Sequence, residues 1–290
     1  MGACGLYPVA ADDAGAEAMK CFQSVLPAVL SLIAATSTPF QAFAGTLEEM
    51  RKAGYLEVCA APDALPSSSR AAGLPGFQLE LGERIARELG LGFRVTWIKS
   101  KEYAGRTHCD AFMSAASLPE DADERRAAET APATRRFPRL LTRPYMDVRF
   151  VLAAGAVRSE IRDLDDLRTR HVAVPSGSWA HYVLNSRGIP VWVRFTSDAD
   201  ILDAVAAGEA DAGVVSLQGL GWYRKNSPGS PIDVVKGVTV DPALDYPAAI
   251  AFRRSDFATV KAVDEVIDRL EADGSLGRIL ETYGIEGSAR

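Results

Sequence analysis

Along residues 54–286, short runs rich in β-branched and aromatic residues alternate with longer stretches whose apolar positions recur every three or four residues. Runs of the first kind suit the pleat of a strand, and spacing of the second kind gathers apolar side chains on one helical face. Strands are predicted over 56–60, 93–97, 110–113, 148–152, 171–174, 191–195, 212–215 and 248–252. One helix opens at Gly76-Phe77, buries Leu79, Ile85 and Leu89, and stops at Gly90. A short amphipathic helix is expected at 163–167, one after Ser176-Gly177-Ser178, and one over 198–207. The last helix carries Val260, Val263, Ile267 and Leu270 on one face, with Gly274 and Gly277 expected to break it before Ile279-Leu280 resumes. Alternation of this kind builds layered α/β units with parallel strands. The pattern starts afresh near residue 150, which predicts two lobes. Residues 45–150 and 252–290 form the first and 151–251 the second, with a ligand cleft between them.

The first 44 residues break this pattern. Met19-Lys20 is a short positive segment, residues 25–35 are apolar, and Ala42-Phe43-Ala44 is a small-x-small site before Gly45. That order is an export signal over 19–44, cleaved after Ala44 and directing the mature chain to the periplasm. Asp12, Asp13 and Glu17 are the wrong charges for a signal start, so residues 1–18 read as an over-extended beginning ahead of Met19. The apolar run falls short of the roughly 18–20 residues of a membrane span, and no second candidate span follows. A net charge of −6 and a pI near 5.3 exclude the basic face that nucleic acid requires. Cys59 and Cys109 are the two cysteines left after processing, and an even pair in an oxidising compartment points to a disulfide.

Six short motifs, in order, carry a resemblance to the periplasmic solute-binding proteins of the polar amino acid type. They are Leu56-Glu-Val-Cys-Ala-Ala-Pro62 with its following loop, Gly76-Phe-Gln-Leu-Glu-Leu81, Thr142-Arg-Pro-Tyr145, the segment from Asp163-Leu164 to Val174-Pro-Ser-Gly-Ser178, Gly208-Glu-Ala-Asp-Ala212, and Ile279-Leu-Glu-Thr-Tyr-Gly284. The resemblance implies a two-lobed (type II) binding-protein fold joined by two crossover strands, and no catalytic activity or cofactor, with a dehydratase-type enzyme on the same fold as the distant alternative. A narrower likeness is to the accessory binding proteins associated with PQQ-dependent methanol and alcohol dehydrogenases, through Val58-Cys-Ala-Ala-Pro62, His108-Cys-Asp110 and Leu217-Gln-Gly-Leu-Gly-Trp222. Two partner classes follow: a quinoprotein dehydrogenase or its c-type cytochrome, or an ABC permease receiving a small anionic or neutral solute. Two departures stand out, a helix shortened to 101–107 and an apparent insertion at 119–132. The resemblance also sets Cys59 opposite Phe112 on adjacent parallel strands. Cys109 would then lie about 10 Å away at ~3.3 Å per residue, which argues against the disulfide.

By the same resemblance the ligand contacts are Ser114, Ser117, Arg135, Ser176, Ser178, Trp179 and Ser216. The two carboxylates that hold a ligand ammonium in relatives are replaced by Ala61 and Ser216, and the loop aromatic by Ser67. Tight binding of a common amino acid is therefore not expected unless nearby Asp63 substitutes. Six arginines between 125 and 143 read as a solvated basic face, as an anion clamp at Arg135, or as a docking surface for an acidic protein. Ser176-Gly177-Ser178 is either an anion site at a helix start or a plain N-cap. Trp179 and Trp222 either line the cleft or pack in the core. His108, His171 and His181 lack metal-site spacing, and Gly177-Ser178-Trp179 lacks the second glycine of a nucleophile elbow.

Overall fold

The computed structural model describes residues 45–98 and 107–287. The expected export signal, the expected start at Met19 and most of the expected shortened helix at 101–107 lie outside the described residues. The first element is a short helix that hydrophobic spacing did not reveal, α1 (Leu47–Ala53). Thr46 caps it, accepting from the Glu49 N–H while the Glu49 carboxylate accepts from the Thr46 N–H, and Gly54 closes it with a left-handed turn. In the first lobe there follow β1 (Tyr55–Ala60), the small hairpin β2 (Asp63–Ala64) and β3 (Ser68–Ser69), and α2 (Phe77–Glu88). Next come β4 (Gly92–Trp97), β5 (Ala111–Ala116), α3 (Pro119–Glu129), β6 (Phe137–Leu141) and β7 (Met146–Val148). The expected insertion at 119–132 is thus largely a helix.

The second lobe holds β8 (Phe150–Ala154), β9 (Val172–Pro175), α4 (Trp179–Ser186), β10 (Val191–Phe195), α5 (Asp198–Ala206), β11 (Ala212–Ser216), α6 (Leu217–Asn226) and β12 (Asp233–Val234). A 3-10 helix at Asp165–Thr169 occupies the place of the short helix expected at 163–167. The chain then returns through β13 (Tyr246–Ser255) and finishes with α7 (Phe257–Ala272) and α8 (Ser275–Thr282). The return comes at Tyr246, six residues before 252, because β13 pairs with β7 from its first residue. Gly277 does not break a helix; it lies inside α8, and the break falls at Asp273-Gly274, where Gly274 is left-handed.

Two sheets result, ordered β4-β1-β5-β13-β6 and β10-β9-β11-β8-β12. They are mixed rather than parallel. β1 runs parallel to β4 and β5, and β9 to β10 and β11, but β13 opposes β5 and β8 opposes β11. Each opposing strand enters from the other lobe, so it crosses its sheet against the local strand direction. The architecture is a two-lobed α/β fold with a core in each lobe. In the first, Leu81, Ile85, Val263, Ile267 and Leu280 pack on Val58, Ala111 and Ile250.

Several motifs are fasteners of this frame. Tyr145 is fully buried and donates its hydroxyl to the Met113 carbonyl at 2.7 Å, while Thr142 exchanges backbone and side-chain bonds with Ile250. Near the C-terminus, the Tyr283 hydroxyl accepts from the Gly76 N–H at 2.9 Å and donates to the Glu80 carboxylate at 2.7 Å. Gly76 must be glycine: its φ is 103°, and a Cβ there would sit 2.4 Å from the Ser67 carbonyl oxygen.

Cys59 and Cys109 form a disulfide with a Cα–Cα distance of 5.5 Å. Cys59 does pair with Phe112, as the motifs imply. The 10 Å separation expected from that register does not hold, because the strand begins only at Ala111. Ahead of it the chain turns, anchored by Asp110, whose N–H donates to the Glu57 carbonyl and whose carboxylate accepts the Glu57 N–H, both at 2.8 Å.

The second lobe also touches the first beyond the crossovers. At Gly221 of α6 an added Cβ would lie 2.2 Å from the Gly284 carbonyl oxygen, so the two backbones meet directly. Trp222 stacks near Tyr283 with ring centroids 5.6 Å apart, and the Lys225 ammonium donates to the Glu281 and Thr282 carbonyls at the end of α8.

Candidate functional site

The C-terminal ends of β1 and β5, the hairpin loop after β1, the first turn of α2 and the start of β13 enclose a cavity of about 360 Å³. Its lining includes Ala61, Ser67, Gln78, Phe112, Ser114 and Tyr246, and no lining residue carries a formal charge. A second cavity of about 540 Å³ shares Phe112, Ser114 and Tyr246 and continues past Ala116 and Leu118 to Arg139 and Arg253. Both volumes suit a small solute. Parallel strands place their carboxyl ends at one edge of a sheet, which is why residues far apart in sequence converge here.

Ser114 stands at the centre of this surface, beside the Tyr246 hydroxyl. Burial pushes the Tyr246 phenol up, the hydrogen bond with Ser114 opposes the shift, and the charge of Asp198 adds to it. Asp198 belongs to the second lobe. Its carboxylate oxygen Oδ2 accepts from the Ser216 hydroxyl at 2.5 Å and from the Ser216 N–H at 3.1 Å. Ser216 caps α6 by accepting from the Gly219 N–H at 2.9 Å. Gly219 leaves room for this carboxylate, since a Cβ there would fall 2.2 Å from Oδ2. Burial pushes the Asp198 carboxyl up, against the two Ser216 hydrogen bonds. Ser216 therefore does not merely replace a carboxylate. It holds one supplied 18 residues earlier.

The other expected contacts are placed as follows. Ser117 follows β5 and spends its backbone N–H on the Pro247 carbonyl. Asp63 is exposed in β2 and is not part of the cavity lining. Ser178 is the N-cap of α4, accepting from the His181 N–H, with Ser176 two residues ahead in the preceding turn. Trp179 is 57 % exposed and faces Tyr182 at 6.4 Å between ring centroids, so core packing does not describe it. Trp222 does pack in the core of the first lobe. Ser176, Ser178 and Trp179 line neither cavity.

The structure does not bring Arg135 to the site. Its guanidinium lies over the Phe137 ring, 4.9 Å from the centroid, in the turn after α3. Arg139 takes the cavity position instead, with one nitrogen on Asp121 at 3.0 Å and another on the Ala116 carbonyl at 3.2 Å. Counting back from Tyr145 reaches the turn ahead of β6, whereas the arginine at the cavity lies within that strand. Five of the six arginines in 125–143 are in ion pairs: Arg125 with Asp264, Arg126 with Asp123, Arg136 with Asp256, Arg139 with Asp121, and Arg143 with Asp268 and Glu271. The segment is therefore largely neutralised, which removes the ground for a basic docking surface.

No family model matches the chain. It is 25 % identical over 215 residues to a probable amino-acid ABC transporter-binding protein of Haemophilus influenzae, covering 73 % of this chain and 77 % of that protein. Three solved structures share the fold. A mutant of ArgBP from T. maritima has a TM-score of 0.62 at 21 % identity, over 82 % of this chain and 98 % of that one. The ancestral amino acid-binding protein AncCDT-1, described as a precursor of cyclohexadienyl dehydratase, gives 0.63 at 21 %, over 82 % and 99 %. The L-cystine solute receptor of Neisseria gonorrhoeae in its unliganded open conformation gives 0.59 at 17 %, over 84 % and 98 %. The fold is that of the two-lobed periplasmic binding proteins.

Proposed function

We propose that the chain is a solute-binding receptor, exported to the periplasm, that hands a small molecule to an ABC permease. The observation that carries this reading is the neutral cavity at the strand ends of the first lobe, lined by Ser114 and Tyr246 among others. A molecule seated there lies against the first lobe at the start of β13, the strand by which the chain returns from the second. The Haemophilus influenzae relative, named as an ABC transporter-binding protein, supports the same role. Neither the Haemophilus influenzae relative nor the three structures above is named for a quinoprotein dehydrogenase or a c-type cytochrome, and the paired arginines weaken the docking surface expected for such a partner. Among the described residues, no helix is long and apolar enough to cross a membrane.

The test is a thermal-shift panel of amino acids, polyamines, organic acids and sugars on the exported protein. A solute at a hundred times its dissociation constant adds about 2.7 kcal/mol of stability. One chemical class should raise the melting temperature clearly. A flat response across the panel, together with salt-sensitive capture of a quinoprotein dehydrogenase from periplasm, would replace the receptor by the accessory role.

A further inference from the structure

Gly45 is seated where only a glycine fits. A Cβ there would lie 2.4 Å from the Arg253 carbonyl oxygen and 2.8 Å from that of Arg254, at the junction where β13 gives way to α7. Arg254 is the one non-glycine residue with a positive φ among the described residues, at 49°, a conformation that costs free energy and is kept where the surroundings demand it. The next residues tie the same place down: the Leu47 N–H donates to the Thr259 hydroxyl of α7 at 2.8 Å. The Gly45 nitrogen donates to Glu49 Oε2 at 3.2 Å, the oxygen that also takes the Thr46 N–H at 3.1 Å and the Thr46 hydroxyl at 2.8 Å. A capping box needs the Thr46 N–H alone, so the Gly45 nitrogen is a further donor. Gly45 also follows the small-x-small sequence Ala42-Phe43-Ala44. Hydrolysis of the Ala44–Gly45 bond adds one water across it, leaving a carboxylate on Ala44 and an α-ammonium on Gly45. The donor beside Glu49 then carries a full positive charge. Of the charges around it, Glu48 of α1 is paired with Lys52, and Arg136, ahead of β6, is 4.0 Å from the other Glu49 oxygen but 2.7 Å from Asp256 at the start of α7. Arg253 turns a guanidinium nitrogen to the Thr107 carbonyl, Arg254 adds a cation on β13, and the Asp110 carboxyl feels the charge of Glu49 from the entrance to β5. The positive end of α1 opposes an ammonium, but α1 has only seven residues and carries Glu48 and Glu49 in its first turn.

We infer that the amino terminus made by export processing is a working part of the fold: the Gly45 α-ammonium docks on the Glu49 carboxylate and locks α1 to the junction of β13 and α7. This rests on the export half of the receptor reading and does not depend on which solute the cleft takes. In the uncleaved chain Glu49 meets a neutral amide at this point. After cleavage it meets a cation in the same place, and charge-assisted hydrogen bonds are roughly twice as strong as neutral ones. The added stability arrives with removal of the signal, when folding is due.

The experiment uses the exported protein, its first residue identified by N-terminal sequencing, beside its Glu49→Gln and Gly45→Ala variants. Trace acetylation with acetic anhydride across pH 6–10, read by mass on the N-terminal peptide, gives the pKa of the α-amine. An ordinary α-amine titrates at about 7.7–8.0, and a carboxylate within ~4–6 Å raises such a group by about one unit. The wild-type amine should therefore titrate near about pH 9, and at neutral pH it should react about tenfold more slowly than that of Glu49→Gln. Burial without the pair would move the amine the other way, below its ordinary value. Because the folded amine is raised, its contribution to stability is complete below about pH 7.7 and is lost as pH rises through about 9, so the gap in melting temperature between wild type and Glu49→Gln should narrow over that interval. Gly45→Ala drives a methyl at the Arg253 carbonyl and should return the amine to its ordinary range. A wild-type amine at or below its ordinary value, or one equal to that of either variant, overturns the inference and leaves the receptor standing. Should a variant fail to fold, the wild-type value decides. A chain cleaved at another bond removes the inference alone, and one that keeps residues 19–44 removes the export reading with it.

Discussion

Asp110 offers a sharp test of how burial governs this fold. It is 1 % exposed at the entrance to β5, Oδ2 accepts the Glu57 N–H, and Oδ1 has no partner among the described residues. Burial, with the nearby charges of Glu57 and Glu49 adding to it, pushes its carboxyl from 3.8 up to about 7 against the Glu57 hydrogen bond. The folded chain therefore holds this proton more tightly than the unfolded one. The stability it provides is complete below about pH 3.8 and is lost as pH rises to about 7. At ~1.4 kcal/mol per pH unit, that interval corresponds to about 4 kcal/mol. Asp110→Asn imitates the protonated form at every pH and can still accept the Glu57 N–H. Its two amide hydrogens bring a fixed cost that does not vary with pH, so the slope is the readout. Urea unfolding of both proteins at pH 4.5, 6 and 8 should show the variant gaining on the wild type by several kcal/mol across the series. Titrating groups that do not act on Asp110 cancel in the difference. A difference that stays flat, or that moves against the variant as the pH rises, would refute the assignment of a desolvated, proton-holding Asp110.

Two further outcomes follow from the frame. Replacing Cys59 and Cys109 by alanine opens a loop of 50 residues, which should cost about 4 kcal/mol in the chain-entropy model, read as a lower urea midpoint matched by the reduced wild type. Equal midpoints for oxidised and reduced protein would remove the bond from the stability account. Gly221→Ala drives a methyl into the Gly284 carbonyl and should destabilise by roughly 1–3 kcal/mol, whereas Gly277→Ala, with open space around it, should change little.

The strands were largely legible because β-branched runs are a local signal; β10 falls at 191–195, where the run of apolar residues sets it. α6 was not, since Gly219 and Gly221 interrupt its apolar spacing and only the cap at Ser216 marks its start. Sheet direction escaped because a strand's neighbours are chosen by the path of the chain between lobes, not by its own residues. Ser114 could be read from the motif order. Arg139 could not: what brings it to the cavity is its pairing opposite Arg253 on β13. Asp198 had a faint signal as an acidic residue in the first turn of a helix, yet its bond to Ser216 bridges 18 positions, from the end of β10 to the end of β11 with β9 between them.

The bare contact between Gly221 and Gly284 also sets the mechanics of the molecule. Beside it Trp222 packs against Tyr283 and the Lys225 ammonium holds the last carbonyls of α8, so this part of α6 is pinned to the first lobe. Ser216, which carries Asp198, is only about one and a half helical turns from it. A pinned α6 therefore keeps Ser216, and the Asp198 carboxylate that it holds, close to the first lobe.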